Sequence, residues 1–354
     1  MAELPSHMPT VEAIFRSYEE RARHDASRGH LGGSSIGHSC SRYLWLGFRW
    51  AFRSSFDGRV LRLFQTGHLE EPRLIEDLRR IGVEVLDKDP ETRRQWRCTA
   101  VGGHFSGSLD AVLHGLPRAP KTWALAEFKT HNAKSFRALQ QKGVERHKPQ
   151  HWAQVHTYMG LAGLERCLYL AVCKDSDALY EEWIHFDAKV HERMLDRARS
   201  IITATEPPPR ISDDPLYYEC GWCDAKDLCH DNELGEPPRV ADVSCRTCCY
   251  ATPEVDDSDA ARWTCAQTGG ELTLAEQARA CGEHLMIPPL VPWAEPVDSG
   301  DGWVLYQLRR KDGARFANVG RTSIAPLDVP QLDSRALAAA TPGTVLDENG
   351  GKDD

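Results

Sequence analysis

No apolar run in this sequence approaches the ~20 residues of a membrane-spanning helix. The longest, Cys167-Leu168-Tyr169-Leu170-Ala171-Val172-Cys173, has the length of a strand. The start, Met1-Ala2-Glu3-Leu4-Pro5, lacks the basic opening and apolar stretch of a secretory signal, so a cytoplasmic location is expected. Positive charge is also short: 43 Lys and Arg against 52 Asp and Glu leave a net charge of −9. This excludes a general attraction to nucleic acid, whose affinity comes largely from phosphate contacts, but it does not exclude a local basic surface. Two runs could form one: Lys129, Lys134, Arg137, Lys142, Arg146, His147 and Lys148, and Arg49, Arg53, Arg59 and Arg62. Either can instead be an ordinary solvated helix face. No internal repeat is found.

Cysteine, by contrast, is plentiful, with 12 in 354 residues. In a reducing compartment such a count points to metal ligands rather than disulfides. Cys98, Cys167 and Cys173 lie in strand-like runs and read as small core residues. The others group as Cys40 with Cys220, Cys223 and Cys229, then Cys245, Cys248, Cys249, Cys265 and Cys281. The second group is a Cys-x-x-Cys with two single cysteines in a short Gly/Thr/Asp-rich stretch. It suits a structural zinc module on Cys245, Cys248, Cys265 and Cys281. His284 is an alternative to Cys265, and Cys249 is a bystander. So short a segment has little core of its own, and a metal would fold it. The opposing reading is a set of reduced thiols in a loose tail.

The chemistry concentrates in one hairpin. Phe105–Leu113 and Trp123–Thr130 are strand-like, joined by the Gly/Pro-rich turn Gly115–Lys121. A turn centred near Arg118 sets Asp110 opposite Glu127, with Cβ atoms roughly 5 Å apart. Alternation puts Glu127 and Lys129 on one face. Two carboxylates so close repel unless a cation lies between them, and oxygen ligands suit Mg²⁺ or Mn²⁺. Lys129 could then orient or deprotonate a water and steady a developing charge. The competing explanation is a structural ion pair.

Around the hairpin, apolar periodicity predicts helices at 9–24, 39–50 (capped by Ser39), 66–81, 135–141, 149–161 and 188–205. Strands are expected at 83–86, 95–101, 105–114, 123–130, 166–173 and 179–186. This order implies an α/β fold, an α+β mixed sheet flanked by helices, over residues 1–232. A cysteine-rich zinc-binding module follows at 240–290. A small β-hairpin extension at 291–340 turns around Lys311-Asp312-Gly313. The acidic tail, 341–354, is expected to be disordered.

Four separate pieces resemble the PD-(D/E)XK nuclease superfamily, in its RecB-like and lambda-exonuclease-like (YqaJ-type) phage branches. They are Gly67-His68-Leu69-Glu70-Glu71, Asp110, Glu127-Phe128-Lys129, and Gln154-Val155-His156-Thr157-Tyr158, in the family's order. The resemblance spans about residues 35–232 and implies a restriction-endonuclease-like core. It implies metal ligands Glu71, Asp110 and Glu127, with His68 and Glu70 as weaker candidates for the first and the Phe128 carbonyl as an addition. Gln154 and Tyr158, one helical turn apart, would face DNA phosphate or sugar, or brace Lys129. Cys40 with Cys220, Cys223 and Cys229 resembles an AddB-type iron–sulfur staple, which favours a [4Fe–4S] cluster over zinc at those thiols. Such a clip would join the two ends of the core across a long loop.

What the resemblance implies is a Mg²⁺- or Mn²⁺-dependent DNA exonuclease acting on duplex ends, in phage-type recombination or end resection, and leaving a 5′-phosphate. DNA is the expected partner, duplex ends or single strands, and a single-strand annealing protein is expected by analogy. The alternatives are a non-catalytic DNA-binding scaffold with iron–sulfur and zinc sites, and an endonuclease or nickase of the same superfamily.

Overall fold

A computed structural model of the chain describes residues 8–25, 27–232, 235–309, 313–325, 328–342 and 344–347. Helix α1 (Pro9–Arg23) begins on its proline, where the missing N–H costs nothing. The short β1 (Leu31–Gly32) precedes α2 (Ser41–Phe48). Cys40 caps α2, its sulfur accepting the Tyr43 N–H at 3.4 Å. Ser39, the expected cap, instead bonds Glu219. Helix α3 (Gly58–Arg80) starts well before the expected Thr66, because Asp57 caps it through the Val60 N–H at 2.8 Å.

Strands β2 (Glu84–Leu86), β3 (Arg97–Ala100), β4 (Phe105–Ser108), β5 (Ala111–His114) and β6 (Ala124–His131) follow. The stretch expected as one strand, 105–114, is two. The chain bends at Leu109-Asp110, so β4 pairs with β1 and β3 while β5 pairs with β2 and β6. Helices α4 (Ala133–His147) and α5 (Pro149–Ala162) carry the chain over to β7 (Arg166–Cys173), which lies parallel to β6. Strand β8 (Leu179–His185) and helix α6 (Ala188–Thr203) complete this part. The main sheet has the order β2-β5-β6-β7-β8.

Alternation along β6 assigns the two faces of this sheet. Ala124, Ala126 and Phe128 join Leu74, Ile75 and Leu78 of α3 in one core. Leu125, with Cys167, Tyr169 and Ala171 of β7, meets Leu139, Val144, Val155, Tyr158 and Met159 of α4 and α5 in another. Each such buried aliphatic side chain is worth about 1.5–3 kcal/mol over an exposed one.

After α7 (Tyr218–Gly221), β9 (Ala251–Pro253), β10 (Trp263–Cys265) and β11 (Gly270–Glu271) form a small antiparallel sheet beside α8 (Leu274–Arg279). Strands β12 (Ala294–Gly300), β13 (Trp303–Leu308), β14 (Arg315–Val319) and β15 (Gln331–Leu332) make a four-stranded sheet, followed by α9 (Ser334–Ala339). The expected hairpin is therefore the centre of a larger sheet. Its turn residues Lys311 and Asp312 lie outside the described residues. So does most of the expected disordered tail, although residues 344–347 form a short helix, α10 (Thr344–Asp347). One core runs through α2, α6 and these C-terminal sheets, including Trp45, Phe48, Ile201, Trp263, Tyr306 and Phe316. The architecture is mixed α/β, with sheets flanked by helices.

Arg49, expected on a basic surface, is buried in this core, and Arg246 is buried beside it. Arg246 lies 3.8 Å over the Trp50 ring and donates to the carbonyls of Phe48 at 3.0 Å and Gly29 at 2.9 Å. Arg49 donates to the Ala204 carbonyl at 3.0 Å. The pair pins the segment after residue 240 onto α2. That is a structural role, so the second basic run loses its first member.

Candidate active site

The β5–β6 ladder ends at Ala111 opposite Ala126, and the next position sets Asp110 against Glu127. The expected register therefore holds. At the bend that opens this end of the sheet, Asp110 Oδ2 accepts the Phe128 N–H at 2.7 Å. Glu127 is fully buried. Its Oε1 takes the Lys129 ammonium and the Gln154 side-chain amide, the latter at 2.7 Å. Its Oε2 is buried with no partner. Gln154 therefore braces Glu127, and not Lys129.

Electrostatics mark the same place. Burial, then the nearby Asp110 charge, pushes the Glu127 carboxyl up to about 7, although Lys129 and Gln154 pull it down. Burial also raises Asp110. Glu71, half-buried on α3, is raised by burial and then by Asp110, with Lys129 opposing. Asp110 and Lys129 thus act on both Glu71 and Glu127. Burial works against the Lys129 charge, but Glu127 and Asp110 outweigh it and the net shift is upward. Lys129 is therefore a protonated donor at neutral pH, and the expectation that it could deprotonate a water is not supported. Its side chain stays 24% exposed, so it can reach a bound molecule.

The other candidates on α3 point elsewhere. Glu70 pairs with Arg73 at 3.3 Å, and His68 is exposed. A Cβ at Gly67 would meet only Thr130 Oγ1, at 3.8 Å, so close packing does not force that glycine. Tyr158 is buried, its ring held between Gly33 and Gly107, where a Cβ would collide with it. Burial, then Glu127 and Asp110, raises its hydroxyl. Gln154 and Tyr158 both face the carboxylates, and both are too enclosed to form an open phosphate-binding surface.

Among the cysteines, electrostatic influence runs within two sets. Burial raises Cys220, Cys223 and Cys229, and Cys40 adds to each. Cys245 is pushed up to about 12, by burial first and then by Cys248, Cys281 and Cys265. The Cys249 thiol donates to the Met286 carbonyl at 3.4 Å. His284 places Nε2 on the Ser244 carbonyl at 2.8 Å and leaves Nδ1 buried without a partner, so it stays an alternative ligand. Cys98, Cys167 and Cys173 are buried, as core thiols should be. Among the described residues, no three His, Cys, Asp or Glu side chains are arranged to enclose a metal ion as they stand.

No protein-family model matches the chain, and no curated protein matches it either. Among solved structures, similarity is found to an alkaline exonuclease, LHK-Exo, from Laribacter hongkongensis. That likeness has 14% identity, covers 52% of this chain and 90% of that one, and has a TM-score of 0.38. The same enzyme in complex with dAMP gives 15% identity, 54% and 90% coverage, and a TM-score of 0.37. SSO0001 gives 17% identity, 63% and 96% coverage, and a TM-score of 0.36. Likenesses so remote fix no activity, so the reading of function rests on the side chains.

Sequence reasoning missed a buried polar chain next to Lys129. His131 follows Lys129 on the same face of β6. Its Nδ1 meets Ser135 Oγ at 3.0 Å and its Nε2 meets the Tyr169 hydroxyl at 3.1 Å. That hydroxyl also meets His151 Nδ1 at 2.8 Å, and Ser135 Oγ meets His147 Nε2 at 3.1 Å. Period-two alternation through Glu127, Lys129 and His131 was the available signal.

Proposed function

We propose that this protein is a Mg²⁺- or Mn²⁺-dependent deoxyribonuclease, acting as an exonuclease on duplex DNA ends. The observation that carries the reading is Glu127: a fully buried carboxylate with an orphaned oxygen, set opposite Asp110, whose charge also acts on Glu71. Lys129 and Gln154 satisfy only one oxygen of Glu127, a buried polar atom left without a partner is costly, and an acidic oxygen set of this kind fits a hard divalent cation. Glu71, Asp110 and Glu127 would hold it. When bound, the cation supplies Lewis acidity toward a phosphate oxygen and a more acidic water.

The chain's own residues do the rest. Gln154 fixes the Glu127 carboxylate, and the Phe128 N–H fixes Asp110. Protonated Lys129 orients the attacking water and steadies the charge that builds on the phosphoryl oxygens. The water oxygen bonds to phosphorus as its proton passes to solvent, the P–O3′ bond breaks, and O3′ takes a proton from solvent, leaving a 5′-phosphate and a 3′-hydroxyl.

The cysteines extend the proposal. Cys40, Cys220, Cys223 and Cys229 would bind a [4Fe–4S] cluster as a structural clip, and Cys245, Cys248, Cys265 and Cys281 a structural Zn²⁺. What supports this is the electrostatic influence of thiols within each set on one another, together with the Cys-x-x-Cys spacing in each. Phage-type recombination or end resection beside a single-strand annealing protein is the proposed setting.

The test is degradation of linear and covalently closed duplex with Mg²⁺ or Mn²⁺, by the wild type and by Asp110→Ala and Lys129→Ala. Loss of the linear form only, by the wild type only, is the expected result. Cutting of the closed circle would assign an endonuclease. Binding without cutting under any metal would assign a scaffold. About four Fe and one Zn per chain in anaerobically purified protein would support the cysteine assignments.

A further inference from the structure

Helix α4 is interrupted at Gly143, which has φ 71° and ψ 175°. Its conformation suits glycine, and Glu182 holds the break by accepting the Val144 N–H at 2.9 Å. The chain doubles back there. Ser135 and His147 would be roughly 18 Å apart along an unbroken helix, yet they hydrogen-bond at 3.1 Å. The fold-back brings His147 and Lys148 against His151 of α5 and toward Lys129.

The result is a cluster of nitrogen bases beside the carboxylate site. Burial lowers His131, and Lys148, His147 and Lys129 lower it further. On His151 the same order holds: burial, then Lys129, Lys148, His131 and His147. Lys148 is half-buried, its charge is disfavoured by that burial, and it forms no ion pair among the described residues. A partly desolvated ammonium with no counter-anion, next to His147 in the chain and one helical turn from His151, is a good receptor for an anion.

We propose that Lys148, with His147 and His151, forms a phosphate-binding subsite that holds a phosphate of the nucleic-acid strand next to the one cleaved. This rests on the nuclease reading of the adjoining carboxylates. A phosphate there would compensate Lys148 and align the strand beside the carboxylates.

The experiment measures equilibrium binding of fluorescent single-stranded oligonucleotides, 5′-phosphorylated or 5′-hydroxyl, in EDTA. It compares the full-length wild type with Lys148→Ala, Lys148→Gln and Lys148→Arg. Loss of one charged contact predicts about tenfold weaker binding for the Ala and Gln variants, and near-wild-type binding for Arg. The log–log salt slope should become shallower by about 0.7. A loss confined to 5′-phosphorylated strands assigns the terminal phosphate, and a loss on both assigns an internal diester. Unchanged affinity in Ala and Gln, or weaker binding with the wild-type salt slope, overturns the subsite. Because no hydrolysis is needed, a wild type that binds in this way but cuts nothing would remove the proposed function and leave the subsite standing.

Discussion

Gln154 donates its side-chain amide to Glu127 Oε1 across 2.7 Å, while Oε2 of the same carboxylate is buried without a partner. The amide favours the ionised form of Glu127 and fixes which oxygen stays free. Gln154→Ala should therefore act through Glu127, weakening divalent-cation dependence by about 10–100-fold, as losses of supporting partners at metal sites do. The check is the Mg²⁺ concentration for half-maximal activity, with thermal unfolding measured alongside.

The carboxylates also predict how stability depends on pH. Glu127 is raised from 4.5 to about 7 in the folded protein. A raised folded value gives stability that is complete below the unfolded value and is lost as pH rises through the folded one. Metal-free protein should thus lose stability between about pH 4.5 and 7, with Asp110 and Glu71, both raised, acting in the same direction. Added Mg²⁺ should raise the melting temperature more at pH 8 than at pH 5. Equal shifts at both pH values would remove the link.

Tyr158 tests shape against chemistry. A Cβ at Gly107 would fall on the Tyr158 ring and hydroxyl. Gly107→Ala should cost about 1–3 kcal/mol by overpacking and lower activity with it. Tyr158→Phe keeps the packing, so a fall in kcat with a melting temperature near wild type would assign the role to the hydroxyl.

Arg246 tests the join between α2 and the cysteine-rich segment. Arg246→Met removes the partners of the buried Phe48 carbonyl, of the part-buried Gly29 carbonyl and of Gln277. Each unpartnered group costs about 1–3 kcal/mol. Loss of the joint should be visible as earlier urea unfolding and as faster proteolysis near residue 240.

Much of this site was legible because it lies where local signals are strong. The Gly/Pro turn at 115–121 set the hairpin register, and that register alone placed Asp110 against Glu127. The strand at 166–173 and the helix from Pro149 were equally plain, the first as a continuous apolar run, the second by its proline. Two kinds of feature stayed hidden. Sheet exchange at Leu109-Asp110 depends on which strands are nearby, and the segment 105–114 carries one unbroken strand-like pattern. The front of α3 was missed because Arg59, Arg62, Leu63 and Phe64 are all exposed and give no inward stripe. Strand β12 has mostly exposed residues and a proline, so it carries no alternation to read. Buried arginines such as Arg49 cannot be told from surface ones by type, since their burial depends on aromatic rings and carbonyls distant in sequence.

The most direct measurement of the central claim is Mn²⁺ uptake by metal-free protein, followed through the paramagnetic resonance signal of the free ion. Saturable binding of about one or two Mn²⁺ per chain at the carboxylates is predicted for the wild type. Glu127→Gln and Asp110→Asn should lose that binding. Equal uptake by the wild type and both variants, or no uptake by the wild type at millimolar Mn²⁺, would contradict a cation site built on Asp110 and Glu127.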